Sequence, residues 1–77
     1  MTSASHAPVV LILSPGADHI HTSKAERALA RRGVNDAGSL LMHILIAGHG
    51  PVRVPRCENT ERLINELRSA GINARVR

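Results

Sequence analysis

The chain of 77 residues contains no phenylalanine, tyrosine or tryptophan. Its core must therefore be aliphatic, drawn from Val, Leu, Ile, Ala and two Met. The same absence excludes RNA-recognition and single-strand-binding modules that stack bases on aromatic platforms. It also argues against a large pocket for a flat cofactor, because such pockets are usually lined by aromatic and hydrophobic side chains, so no cofactor is expected. Cysteine is nearly absent too. Cys57 stands alone, no intrachain disulfide can form, and this suits a reducing cytoplasm. No apolar run approaches the roughly 20 residues of a membrane span. Val9 to Leu13 is too short for a secretory signal core and has no basic segment before it.

What the chain does contain is arginine. The formal net charge is +4, and nine of the ten basic residues are Arg. Guanidinium groups suit bidentate contacts to carboxylate or phosphate, which points to an acidic partner, protein or nucleic acid. The high Ala and Gly content is equally compatible with Arg replacing Lys through genomic base composition. At this length there is one domain, and it buries only about 60% of its unfolded surface.

Met1 to Ala7 reads as a flexible tail and residues 8–77 as a single domain. Val9 to Leu13 is a continuous apolar run rich in β-branched residues, as in a strand buried on at least one face, and Ser14-Pro15-Gly16 ends it. Asp18 is the expected N-cap of a first helix that runs to Arg32 and stops at Gly33. Ile20, Ala25, Ala28 and Leu29 give its apolar stripe, with Lys24, Arg27, Arg31 and Arg32 on the remaining face. Asn35 can cap a second helix, whose Ala37, Leu40, Leu41, Ile44 and Leu45 recur at helical spacing. It is the most apolar helix and is expected to be the buried one. Gly48-His49-Gly50-Pro51 breaks it, and Val52 and Val54 alternate as in a half-exposed strand. A third helix from about Asn59 to Ala70 turns Leu63, Ile64 and Leu67 inward, Gly71 stops it, and Ile72 to Val76 closes the chain as a strand. These elements define a small α/β (α+β) two-layer domain of order β-α-α-β-α-β, a three-stranded sheet with three helices on one face.

Residues that could carry chemistry are few. His19 and His21 are two apart and do not share a helical face, and no C-x-x-C or H-E-x-x-H is present, so the histidines read as solvated or capping groups and no metal is expected. Cys57 has no local partner of a nucleophile pair and reads as a small packing residue. The glycines around His49 lack the Lys and Ser or Thr of a phosphate-binding loop. No catalytic residue and no enzymatic activity are expected. The cluster Lys24, Arg27, Arg31 and Arg32 could bind nucleic acid through phosphate contacts. It could equally be a solvated helix face or a protein-binding surface.

Three segments together resemble the C-terminal domain of the bacterial ribosomal stalk protein. GADHIHTSKAER, Gly16 to Arg27, is similar to that domain's Gly turn and first helix. GVNDAGSLL, Gly33 to Leu41, is similar to the start of its second helix. TERLINELRSAGINARVR, Thr60 to Arg77, is similar to its third helix, Ala-Gly stop and final strand. The family's domain recruits translational GTPases through its first two helices. The resemblance thus implies a protein-binding surface in which Lys24 and Arg27 keep the basic pair, Arg31 extends it, and Ile20 and Val34 supply apolar contact between the first two helices. His19, Ser23 and Gly38 depart from the family pattern, which has Lys, Ile and Lys there. The stalk protein's paired N-terminal helices and hinge have no counterpart in these residues, so a stand-alone stalk-like domain is implied, possible partners being a translational GTPase or another acidic protein. The adaptor of the Clp protease, which binds N-terminal degradation signals, shares the general fold and is the alternative. Leu41-Met42 and Ala70-Gly71 resemble it, but Ser14-Pro15-Gly16 stands where it places acidic residues, and Ile46, between His43 and His49, falls near its histidine.

Overall fold

The computed structural model describes residues 8–56 and 59–77. The expected N-terminal tail and Cys57 lie outside the described residues. The elements are β1 (Val9–Pro15), α1 (Thr22–Ala30), α2 (Ala37–Ala47), β2 (Gly50–Val54), α3 (Thr60–Ser69) and β3 (Ile72–Val76). This is the α+β order expected from the sequence. β1 lies in the middle of the sheet, antiparallel to both neighbours, in the strand order β2-β1-β3.

Strand alternation decides which side faces the helices. Leu11 and Leu13 of β1, Val52 and Val54 of β2 and Ile72 of β3 are buried against them. Val10, Ile12 and Ser14, together with Arg53, Asn73 and Arg75, point the other way, half-buried or exposed. The core is aliphatic throughout: the strand residues meet Leu29 of α1, Leu41 and Ile44 of α2, and Leu63 and Leu67 of α3. No polar or charged residue is buried among those described. α2 and α3 lie on the sheet, and α1 packs against α2 and α3.

Three element boundaries differ from the expectation: both ends of α1 and the end of β1. Asp18 does not cap α1; His21 is the residue before the first turn. Residues 16–21 are instead tied to the α3–β3 turn, where the Gly16 amide donates to the Gly71 carbonyl and the His21 amide to the Ala70 carbonyl, both at 2.8 Å. The chain enters a helix only after the second of these bonds. At the other end α1 stops at Ala30, and Arg32 and Gly33 donate to Leu29 and Ala30 in a tightened turn, with Gly33 at φ 86°. β1 runs on through Ser14 to Pro15. β2 has already ended there, so the proline lies where only β3 flanks the strand.

The caps of the other helices follow different chemistry. Asn59 caps α3, its Oδ1 accepting from the Arg62 amide at 3.0 Å. Asp36, not Asn35, precedes α2, in the left-handed region at φ 54° and with no side-chain cap bond. α2 is apolar around most of its circumference, Ser39 and His43 being exposed together on one side, yet only Ala37, Leu41 and Ile44 are buried. Its neighbours cover two sides, and Met42 and Ile46 remain 56% and 82% exposed. The expectation that the most apolar helix is the buried one therefore holds only for the sides that face α1 and the sheet. Gly50 lets α2 close on the sheet, since a Cβ there would lie 3.0 Å from Ile44 Cγ1.

Candidate partner-binding surface

Lys24, Arg27 and Arg31 sit three and four residues apart, so they share one side of α1. Arg31 follows the last helical residue but keeps helical dihedrals, φ −63° and ψ −19°, which holds it in line with the other two. All three are exposed, while Ala25, Ala28 and Leu29 anchor the helix from the buried side. Among the described residues no carboxylate pairs with any of the three. Arg27 in the last turn and Arg31 just after it also suit the helix dipole, whereas Lys24 stands in the first turn.

Arg32 belongs to a different structure. Its side chain is only 15% exposed, and Nη1 donates to Glu66 Oε1 at 2.9 Å and to the Ala28 carbonyl at 3.0 Å. Arg62 Nε stands 3.8 Å from the other oxygen of Glu66. Arg32 thus ties the end of α1 to α3 and is withdrawn from the basic face on which the sequence placed it. Nothing in the local sequence separates Arg31 from Arg32. The distinguishing fact is a carboxylate 34 positions away that the fold brings beside one of them.

On the α2 side of α1 a second charged group, Glu26, lies beside Gly38. A Cβ on Gly38 would come within 3.1 Å of Glu26 Oε2. The missing side chain lets this carboxylate lie over the first turn of α2, where exposed amides and the helix dipole favour negative charge and where Asp36 makes no cap bond.

The two apolar residues of the implied surface occupy unlike positions. Ile20 is half-buried and packs against the core, keeping part of its side chain accessible at the foot of α1. Val34 is 7% exposed and its side chain belongs to the core. It sets the turn between α1 and α2, with its amide donating to the Leu29 carbonyl at 3.2 Å. Gly71 fixes the loop that carries Ile20: at φ 89° it sits so close to the His19 carbonyl and Ile20 Cα that a Cβ would overlap the former. The sequence marked Gly71 only as a helix stop. Its second role is visible only once the turn and the loop meet.

His19, His21, His43 and His49 are all exposed. Among the described residues no three His, Cys, Asp or Glu side chains come together as metal ligands, and no helix is long and apolar enough to cross a membrane. Compared with known protein families, curated proteins and solved structures, the chain matches none of them.

Proposed function

We propose that this domain is a non-enzymatic protein-binding module that docks an acidic surface of a partner against α1 and its junction with α2, in the manner of the ribosomal stalk domain it resembles. The observation that carries the reading is the row Lys24, Arg27 and Arg31, three exposed cations on one side of a helix. That helix is tied to α3 through Arg32–Glu66, and Ala25, Ala28 and Leu29 anchor it in the core. Cations set in line on a rigid element make charge-assisted contacts without a backbone ordering cost, so only the side chains have to be ordered. Ile20, half-buried beside the row, adds apolar area to the contact. The order of elements is the one the resemblance implies, and a translational GTPase is the first partner to try.

The test is a direct titration of the chain with a purified translational GTPase, with and without Lys24→Ala and Arg27→Ala together. Exposed charge pairs contribute about 0.2–1 kcal/mol each, so the double variant should weaken binding roughly 2- to 30-fold while its melting curve stays that of the parent. Unchanged affinity in the double variant would remove α1 as the contact surface.

A further inference from the structure

The sheet face turned away from the helices carries a second basic surface, separate from α1. Val10 of the central strand stands opposite Arg53 of β2, and Ile12 stands between Pro51 of β2 and Arg75 of β3. Arg77 continues the β3 ladder, its amide donating to the Val10 carbonyl at 3.0 Å, so its side chain falls on the same face as Arg75. Arg53, Arg75 and Arg77 are exposed, and no described Asp or Glu side chain occupies this face. Next to Arg75 is a depression of about 260 Å³ whose lining includes Ile12, Ser14, His49 and Asn73.

We propose that this face binds the phosphate backbone of double-stranded nucleic acid. The side chains that reach out from it are hydrogen-bond donors: three guanidinium groups, the Ser14 hydroxyl, the Asn73 amide and the His49 ring, the groups that contact phosphate and sugar in nucleic-acid complexes. Its apolar part is limited to Val10 and Ile12, both half-buried, and the exposed Pro51, with the three arginines beside them. A protein interface centres on a desolvated apolar core rich in aromatic residues, and this face offers none. A phosphodiester backbone needs no such core. Strand geometry puts the three arginine Cα atoms roughly 7–12 Å apart, and a duplex carries one charge per roughly 1.7 Å of axis, so each guanidinium has phosphates within reach. The depression beside Arg75 adds neutral donors for one phosphate and its sugar. With no aromatic side chain to stack on, unpaired bases gain little here, which favours a duplex and binding without sequence preference.

This surface is independent of the α1 reading, and one titration separates them. The probe is a fluorescently labelled DNA duplex of about 20 base pairs, followed by anisotropy with the intact chain. Three phosphate contacts give a slope of about −2.7 in log K against log salt, a fall of roughly 40-fold between 50 and 200 mM salt. Arg53→Gln, Arg75→Gln and Arg77→Gln combined should abolish binding while circular dichroism remains that of the parent. The three Arg→Lys changes should keep the salt slope, and Lys24→Ala with Arg27→Ala should leave duplex affinity unchanged. The proposal is overturned by an absence of binding at 50 mM salt. It is equally overturned if the folded triple glutamine variant binds like the parent, or if polyglutamate of equal charge competes as well as the duplex, an outcome that assigns the face to an acidic protein.

Discussion

Replacing Gly71 with alanine should cost about 1–4.5 kcal/mol. The residue is at φ 89°, where an L side chain costs about 1–2 kcal/mol. The new Cβ would overlap the His19 carbonyl oxygen and press on Ile20 Cα. Both are backbone atoms, so neither can swing aside alone, and the 16–21 loop has to move. That movement strains the two bonds that hold it, Gly16 to Gly71 and His21 to Ala70, each contributing about 0.5–1.5 kcal/mol net. The stiffer unfolded chain returns about 0.4–1 kcal/mol. For a domain of this size total stability is roughly 4–12 kcal/mol, so the variant loses a large part of it.

Gly48 provides the control. It has nearly the same φ, 93°, but a Cβ there meets nothing within 4 Å, so Gly48→Ala carries only the backbone term, about 0–1.5 kcal/mol after the unfolded-chain gain. Urea unfolding followed by far-ultraviolet circular dichroism measures both, since the chain has no Trp or Tyr to report by fluorescence. In a thermal melt the difference corresponds to about 4–8 °C for each kcal/mol. Equal losses in the two variants would refute the reasoning, because they would show that the turn after α3 does not support the loop before α1.

Two further substitutions test the flanks of α1. Gly38→Ala should stabilise the domain by roughly 0.5 kcal/mol, because alanine favours the helix and the atom it would crowd is the end of the exposed, flexible Glu26 side chain; a loss above about 1 kcal/mol in a urea melt would mean that Glu26 cannot leave the first turn of α2. Arg32→Ala should cost about 1–2 kcal/mol through its bonds to Glu66 and Ala28, whereas Arg31→Ala should stay within about 0.5 kcal/mol; equal melting temperatures for these neighbours would contradict the division of roles between them.

Most of the fold was legible because periodicity and punctuation agree. The alternation of Val52 and Val54, the inward set Leu63 and Leu67, and the stop at Gly71 are local signals, and β3 begins and ends where its alternation predicts. Asp18 misled because cap chemistry is a local preference, and here two long-range backbone bonds to the α3–β3 turn outweighed it. α2 misled for another reason: composition says how apolar a helix is, not how many sides its neighbours cover, and Met42 and Ile46 fall on the uncovered one. In the basic cluster, Lys24, Arg27 and Arg31 were readable from spacing, while the withdrawal of Arg32 depended on Glu66. The sheet-face arginines were scattered through two strands and share a surface only through the register.

That redistribution of arginine bears on why the chain has so much of it. If base composition alone had set the arginine content, the cations would be expected wherever a solvated position allowed, interspersed with the acids. Instead the described acids accompany the helices and the loops that flank them: Glu66 binds Arg32, Glu26 lies over α2, Asp36 precedes it, Glu61 is in the first turn of α3, and Asp18 is in the loop before α1. The cations left without a described carboxylate include the α1 row on the helical side and the Arg53, Arg75 and Arg77 group on the opposite side of the sheet. Like charges gathered on one face repel each other and are screened only in part at ordinary ionic strength. Two such groups on a domain of this size lower its stability unless anionic partners offset the repulsion. The parent should therefore gain stability as salt rises from low to moderate concentration, and neutralising either group should reduce that gain. A salt response identical in the parent, the α1 double variant and the sheet-face triple variant would show that neither group holds concentrated charge.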